Sequence, residues 1–313
     1  MPFNGKSGKF NASINTVEFG CGDKAVKIGG ENVFPLYSFD AAIENAPKVG
    51  IEITDFGMEH EPECIKKYYE GCATLADMAR KAASMEGVDF LSFRMEGGDP
   101  NGANKSTEEL IGELKEIADA VDLPLVVCGC KNVEKDAELF SKAAEALNGK
   151  NAVILSAKEE NYKTVGAAAG LAYKQIVGAE SAVDINLAKQ LNVLISQLGV
   201  DSKSVVMNVG SAAVGYGFEY VISTMDRVKA AALQQGDANL QMPIITPVAE
   251  EAWNVKEAMA SEDDMPEWGN QEERGIGMEV STAASVLACG SNAVILKHPT
   301  SVATISKLIK EMM

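Results

Sequence analysis

Histidine is scarce in this chain of 313 residues, which contains only His60 and His298. The two lie far apart in sequence, so a histidine-centred metal site or a Ser-His-Asp triad is not expected. The six cysteines never form a C-x-x-C pair, and most lie inside apolar runs, as reduced core thiols do. The chain is therefore not expected to build an ordinary four-cysteine iron–sulfur site.

Basic residues are also under-represented, because 28 Lys and Arg face 45 Asp and Glu, giving a formal net charge of −17. A surface this acidic repels phosphate backbones and anionic lipids, so neither nucleic acid nor a membrane is an expected partner. No apolar run approaches the roughly 18 residues of a membrane-spanning helix. The N-terminus lacks the apolar core of a signal peptide. These features favour a cytoplasmic protein.

Short apolar runs do alternate with helical patterns along residues 49–313. Eight of them are typical of buried strands: 49–55, 90–96, 125–130, 152–157, 175–177, 205–208, 243–246 and 293–297. This alternation matches a TIM (β/α)₈ barrel, whose usual length is about 250 residues. The alternative, a doubly wound open sheet, usually has fewer strands and a phosphate-binding turn after the first, where this chain has Gly57-Met58-Glu59. We predict the barrel.

Residues 1–48 precede the barrel pattern and form a short β extension in our interpretation. Segments 16–19 and 25–28 flank Gly20-Cys21-Gly22-Asp23, which predicts a hairpin, and 33–36 are expected to add a third strand. The predicted domain organisation is therefore an N-terminal β-hairpin extension, 1–48, followed by a (β/α)₈ barrel, 49–313.

The carboxyl ends of the predicted strands carry the candidate functional residues, because function gathers at that face of a barrel. They are Glu52, Asp55, Glu96, Asp99, Asn101, Asn104, Cys128, Cys130, Ser156, Glu159, Glu160, Asn161, Asp184, Asn186, Asn208, Ser211, Tyr216, Thr246, Lys297 and His298. This rim is rich in carboxylates and amides and poor in bases. Its segment 96–104 is more polar than a turn requires, so it is either a binding loop or an unusually polar turn.

Two rim features also have an ordinary structural explanation. Cys128 and Cys130 alternate along a strand and would share one face, where thiols bind a soft metal or, more commonly, only pack. Asp184 either holds a ligand or caps the helix of 187–198, and capping is the favoured interpretation.

The stretch 205–220 joins a buried strand to a helix through a loop of small residues. The loop glycines are Gly210, Gly215 and Gly217. They either let a flat ligand approach the backbone or only allow the chain to turn. The neighbouring Ala212, Ala213, Val214 and Tyr216 are expected either to be exposed for a partner or to pack beneath the next helix.

Several motifs, in order and at matching spacing, resemble the small, or delta, subunit family of the corrinoid iron–sulfur proteins in the acetyl-CoA decarbonylase/synthase (Wood–Ljungdahl) pathway. They include Glu-Gly-Gly-Asp-Pro-Asn-Gly-Ala-Asn at 96–104, Pro-Leu-Val-Val-Cys-Gly-Cys at 124–130 and Gly-Tyr-Gly-Phe-Glu-Tyr at 215–220. Shorter matches lie at 133–136, 160–163, 184–186, 189–192, 251–253, 273–275 and 298–299. The chain departs from the family at 208–213, where members often carry Asp-Pro and more glycines, so no acid stands at Asn208.

The resemblance implies a TIM barrel that pairs with a large (gamma) subunit and covers a corrinoid held between the two. It implies methyl transfer from methyl-tetrahydrofolate, through a separate methyltransferase, to acetyl-CoA synthase. The chain alone is expected to bind no cofactor and to have no catalytic residue. The residues expected to face the corrinoid and the large subunit are Glu96, Asp99, Asn104, Asp184, Asn186, Asn208, Gly215, Tyr216 and Gly217.

Two other functions stay open at this point. The barrel could be a self-sufficient methyltransferase that binds a reduced pterin, with Asp184, Asn186 and Asn208 hydrogen-bonding the edge of the ring. It could also be a purely structural assembly subunit.

Overall fold

In the computed structural model, which describes residues 8–313, eight parallel strands close into a barrel behind a small N-terminal hairpin. The hairpin strands are β1 (Val17–Phe19) and β2 (Val26–Ile28). The barrel strands are β3 (Lys48–Thr54), β4 (Phe90–Arg94), β5 (Leu125–Cys128), β6 (Val153–Ala157), β7 (Ile176–Glu180), β8 (Val205–Asn208), β9 (Ile244–Pro247) and β10 (Ser291–Leu296). Because β10 pairs with β3, the sheet has no free edge. The predicted (β/α)₈ fold is confirmed.

Helices fill the connections between the strands. They are α1 (Glu63–Lys66), α2 (Leu75–Ala83), α3 (Thr107–Ala120), α4 (Val133–Ala146), α5 (Tyr162–Val165), α6 (Ile185–Gln197), α7 (Phe218–Leu233), α8 (Val248–Ala252), α9 (Lys256–Met259), α10 (Gln271–Ala288) and α11 (Pro299–Met312). Two short helices, α8 and α9, follow one another directly after β9. Within residues 8–313, no helix has the length and apolar character needed to cross a membrane.

Two apolar clusters hold the fold together, one on each side of the sheet. The larger lies between the strands and the surrounding helices and includes Ile51, Phe93 and Leu191. The smaller fills the barrel interior and includes Val126 and Val206. Residues that are one position apart on a strand thus enter different clusters, as the period of two in a strand requires.

The N-terminal hairpin contributes to the inner cluster. Val17 and Phe19 of β1 are fully buried together with inward-facing residues of the barrel. The ring of Phe19 meets that of Phe90 edge to face, with 5.6 Å between their centroids. A Cβ at position 50 would lie 2.1 Å from the Phe90 ring, so glycine is required there. The hairpin therefore packs against one end of the barrel interior.

The third N-terminal strand expected at 33–36 does not form. Pro35 has no amide hydrogen to pair, and Leu36 has φ 59, outside the extended region. The segment turns instead, and Phe34 packs edge to face against Phe10 with ring centroids 5.0 Å apart. We propose to keep the division into an extension, 1–48, and a barrel, 49–313, which lies within one residue of the start of β3 at Lys48.

Candidate functional site

A network of buried charges crosses the carboxyl end of the barrel, which we call the rim. Arg94, the last residue of β4, donates from Nε and Nη2 to Oε2 of Glu52, at 3.1 and 2.9 Å. Its Nη1 lies 3.0 Å from Oε2 of Glu250, which belongs to α8. Oε1 of Glu250 lies 2.6 Å from Nζ of Lys131. The network thus links β3, β4, the end of β5 and α8 through charge-assisted contacts.

The electrostatics of this network favour the charged forms of Arg94, Lys131 and Glu250. Burial opposes the charge of Arg94, but Glu52 and Glu250 outweigh it and raise the Arg94 pKa well above its usual value. Burial likewise opposes the charge of Glu250, yet Arg94 and Lys131 hold its pKa below the usual value. The side chains of Arg94 and Glu52 are only 7% and 1% exposed, so the pair is strongly shielded from water.

Lysines accompany Arg94 at the rim, and each is held as a cation in an ion pair. Four lysines at the rim pair with acids, with Nζ–O distances of 2.6 to 3.4 Å: Lys105 with Asp55, Lys131 with Glu250, Lys158 with Glu180, and Lys297 with Glu61. A signal for Arg94 was present in the sequence. A charge at the end of an otherwise apolar strand requires a buried partner.

Two cavities open at the rim on either side of the Arg94 network. The first, of about 260 Å³, is lined by Ser156, Lys158, Asn208 and Ser211, and we call it the Asn208 cavity. The second, of about 680 Å³, is lined by Phe56, His60, Glu96, Asp99 and Lys105, and we call it the Glu96 cavity. Arg94, Gly129, Lys131 and Glu250 line both. The network therefore forms a shared wall between the two cavities.

The structure brings only some of the predicted site residues together. Asn208 lines the first cavity, and Glu96 and Asp99 line the second. The other six candidates line neither: Asn104, Asp184, Asn186, Gly215, Tyr216 and Gly217. Arg94, Lys131 and Glu250, which the sequence analysis did not select, lie at the centre.

Much of the polarity of segment 96–104 stabilises its own loop. Asp99 accepts from the amide of Asn101 at 3.0 Å, and its carbonyl accepts from the amide of Asn104 at the same distance. The buried carboxylate of Asp55 accepts from the amide of Gly97 at 2.9 Å. Partial burial raises the pKa of Glu96, the residue that this loop leaves beside the cavity. Glu96 and Asp99 stay candidates for ligand contact.

Capping by Asp184 is confirmed. Its Oδ1 accepts from the amides of Asn186 and Leu187, at 2.7 and 3.2 Å, at the start of α6. The two cysteines do not share a face, because β5 ends at Cys128. Cys128 belongs to the inner apolar cluster and Cys130 to the outer one, where its Sγ lies 3.2 Å from Oδ1 of Asp136.

The glycines after β8 have a backbone reason to be glycine. Gly215 and Gly217 have φ of 89 and 77, a region that other residues rarely adopt. A Cβ at Gly215 would meet no atom of the described chain within 4 Å, so this side of the loop is open. Of the neighbouring small residues, Ala213 is buried, whereas Tyr216 is 50% exposed and donates to Oε2 of Glu257 at 2.6 Å.

The fold and the site thus define a (β/α)₈-barrel protein whose polar rim is closed at its centre by a buried ionic network. The family described as CO dehydrogenase/acetyl-CoA synthase delta subunit matches residues 16–299. A match of this extent shows membership, and the chain belongs to that family.

Curated relatives support the assignment. The acetyl-CoA decarbonylase/synthase complex subunit delta of Methanothermobacter thermautotrophicus is 31% identical over 313 residues, covering 99% of this chain and 77% of the relative. The subunit of Methanopyrus kandleri is 32% identical over 295 residues, covering 94% and 72%. Subunit delta 1 of Methanosarcina thermophila is 30% identical over 295 residues, and there the chain spans 66% of the relative's length.

Solved structures of similar fold include dihydropteroate synthases. The enzyme from Thermus thermophilus in complex with 4-aminobenzoate superposes with a TM-score of 0.56 and 12% identity, covering 95% of this chain and all of that one. The enzyme from Xanthomonas albilineans with 4-aminobenzoic acid gives 0.55, again at 12% identity, and covers 95% of this chain and 98% of that one. At this identity the likeness shows the fold alone.

Proposed function

We propose that this chain is the small subunit of a corrinoid iron–sulfur protein, and that its rim covers a corrinoid held mainly by a large subunit. The pair carries a methyl group from a methyl-tetrahydrofolate methyltransferase to acetyl-CoA synthase, both of which are transient partners. The relatives are named as subunits of an acetyl-CoA decarbonylase/synthase complex, and the resemblance of the motifs implies the corrinoid.

The Arg94 network is the observation that carries the proposal. Arg94, Glu52 and Glu250 occupy the centre of the rim in a closed set of contacts. Separating these buried, paired charges to admit a ligand would cost several kcal/mol of free energy. A ligand therefore meets the rim surface more readily than it enters the barrel, which suits a protein that covers one face of a broad cofactor.

The exposed residues around the rim fit a corrinoid, whose wide ring is apolar and whose edge carries neutral amides. Tyr216, Tyr220 and Val183 are 50%, 67% and 40% exposed. Tyrosine is enriched in binding surfaces because it combines a large apolar area with a polar tip. The side chains that would meet the corrinoid and the large subunit are those of Glu96, Asp99, Asn104, Asp184, Asn186, Asn208 and Tyr216, together with the backbone of Gly215 and Gly217.

The chemistry divides between cofactor and chain. A bound corrinoid supplies the cobalt that accepts and donates the methyl group. The residues of this chain orient and shield it: the tyrosines exclude water from its face, while the amides and carboxylates of the rim bind its polar edge. The chain is not catalytic by itself in this proposal.

The geometry counts against the alternative of a pterin-binding methyltransferase. That function needs Asp184, Asn186 and Asn208 to converge on one ring. Asn208 lines a cavity, but the Asp184 carboxylate is engaged as a helix cap and the side chain of Asn186 is exposed outside that cavity.

The test is to purify the chain alone and together with the corrinoid-bearing large subunit, and to record visible spectra and cobalt content after size-exclusion chromatography. We expect the chain alone to be colourless and cobalt-free, and to elute with corrinoid only as the pair. The control for substitutions at the rim is Phe39→Ala, which changes an exposed residue of the N-terminal extension. This variant should pair with the large subunit and retain corrinoid as the wild type does.

Two results would contradict the proposal. One is stoichiometric cobalt in the chain expressed without its partner. The other is micromolar calorimetric binding of methyl-tetrahydrofolate to the isolated chain, which would favour the pterin-binding methyltransferase. If pairs with rim substitutions transferred methyl groups at the normal rate, the purely structural role would gain.

A further inference from the structure

The Asn208 cavity has buried, neutral hydrogen-bonding side chains along one wall. Asn208 is only 6% exposed and Ser156 is equally buried. Nδ2 of Asn208 donates to Oγ of Ser156 at 3.1 Å, and its Oδ1 accepts from the amide of Gly210 at 3.1 Å. The position of the Asn208 side chain is thus fixed from both ends.

These groups have unused hydrogen-bonding capacity. A primary amide has two N–H donors and two acceptor lone pairs, so Asn208 keeps one of each after its two bonds. The Ser156 hydroxyl still has its own proton to donate. Oγ of Ser211, also in the lining, is buried and has no hydrogen-bond partner among residues 8–313. A buried polar atom that lacks a partner costs free energy, which a bound polar group would recover.

The charges around the cavity select against an anion. Every cation in the lining already faces an acid: Arg94 and Lys131 contact Glu250, and Lys158 contacts Glu180 at 3.4 Å. Two further acids, Asp136 and Glu251, also line the cavity. A carboxylate placed there would meet more acids than unpaired cations, whereas a neutral group with both donor and acceptor would not be repelled.

We propose that the Asn208 cavity binds one of the three primary propionamide side chains of the corrinoid, those at positions b, d and e. This inference rests on the function proposed above. A volume of about 260 Å³ holds a short amide-tipped chain but not the ring itself. The cavity opens to solvent beside Val183, which is 40% exposed, so an amide can enter from a ring that lies across the rim. Asn208 is then a specificity residue that recognises the neutral amide through complementary hydrogen bonds.

The test changes the ligand one atom group at a time. The large subunit and this chain are assembled without cofactor and titrated with cobinamide, or with its b-, d- and e-monocarboxylic acids, in each of which one amide has become a carboxylate. We expect one of the three acids to bind at least about tenfold more weakly than cobinamide at neutral pH, because its carboxylate has no proton to donate to Oδ1 of Asn208 and also meets the acids of the lining.

The Asn208→Leu variant assigns that discrimination to this cavity. Leucine has the same branched skeleton of heavy atoms but can neither donate nor accept a hydrogen bond, so cobinamide should bind about tenfold more weakly. The discrimination should fall to within about threefold, the part that repulsion by the acids of the lining still causes. The control is Asn148→Leu, which changes an exposed asparagine outside the cavity and should leave every dissociation constant unchanged.

The outcomes are distinguishable. Equal binding of cobinamide and all three acids by the wild-type pair overturns the inference, and so does discrimination that survives unchanged in a folded Asn208→Leu pair. Either result leaves the function proposed above intact. If the wild-type pair binds no corrinoid at all, that proposed function fails and the inference with it. The ligand series needs no mutation, so it decides the matter even if Asn208→Leu does not fold.

Discussion

Arg94 is the residue on which the rim depends. Its guanidinium contacts Glu52 and Glu250 in a nearly water-free site. Arg94→Leu leaves both carboxylates without that partner, so the free energy of unfolding should fall by about 3–5 kcal/mol. Arg80, which pairs with Asp77 on an exposed surface, is the matched control, and Arg80→Leu should cost no more than about 1 kcal/mol. Denaturant unfolding measures both, and equal small losses would show that the network contributes little.

Glu279 gives the chain a pH dependence that can be isolated. The residue is fully buried in α10, where it accepts from the amides of Lys297 and His298 at 2.5 and 3.1 Å. Burial raises its pKa from 4.5 to about 6, although those hydrogen bonds oppose the rise. The folded state then binds its proton more tightly than the unfolded state does, so this residue favours folding at low pH.

Its stabilising contribution is therefore present below the unfolded pKa and is lost as the pH rises through the folded pKa. The difference in unfolding free energy between wild type and Glu279→Gln should fall by about 2 kcal/mol as the pH rises from below 4.5 to above 6. Denaturant unfolding at a series of pH values measures this difference. Taking the difference removes the pH dependence of the other carboxylates. A difference that does not change with pH would mean that Glu279 titrates normally.

At the scale of elements, the N-terminal hairpin stabilises the end of the barrel that lies away from the site. Phe19→Ala removes a fully buried ring that packs on Phe90, and should cost about 3–5 kcal/mol. Phe39, in the same extension, is 78% exposed, so Phe39→Ala should cost less than about 1 kcal/mol. Thermal unfolding of the two variants checks this. Similar midpoints would indicate that the hairpin is not part of the cooperative fold.

A buried polar cluster also connects the N-terminal extension to the barrel. Nζ of Lys229 in α7 donates to Oε1 of Glu31 and to Oδ1 of Asn292, each at 2.9 Å, and all three side chains are buried. Nδ2 of Asn292 also donates to Oε1 of Glu31, at 2.8 Å. The extension thus joins the barrel, at the end away from the rim, through polar as well as apolar contacts.

At the scale of the whole molecule, the two ends of the barrel differ in what covers them. One end is covered by the chain's own hairpin, while the rim presents exposed tyrosines and two polar cavities. This division suits a family whose relatives are named as subunits of a complex. With a net charge of −17, a partner surface that carries basic residues would be favoured, and its association would weaken as salt rises.

The sequence by itself determined the architecture of this protein. Eight apolar runs separated by helical patterns leave few ways to bury both faces of a sheet, and the barrel is the one that matches their number. Capping by Asp184 was also predictable, because a cap depends only on residues two and three positions away. Family membership followed from motifs that are local in the chain.

Only the tertiary structure decided which rim residues meet. Arg94, Glu52 and Glu250 lie on three different elements, and no local pattern couples their charges. The same reason separates Asn208, which lines a cavity, from Asp184 and Asn186, which do not. Local periodicity specifies on which face of its own strand or helix a side chain lies. The closure of the barrel places distant strand ends side by side, and that closure is a property of the whole chain.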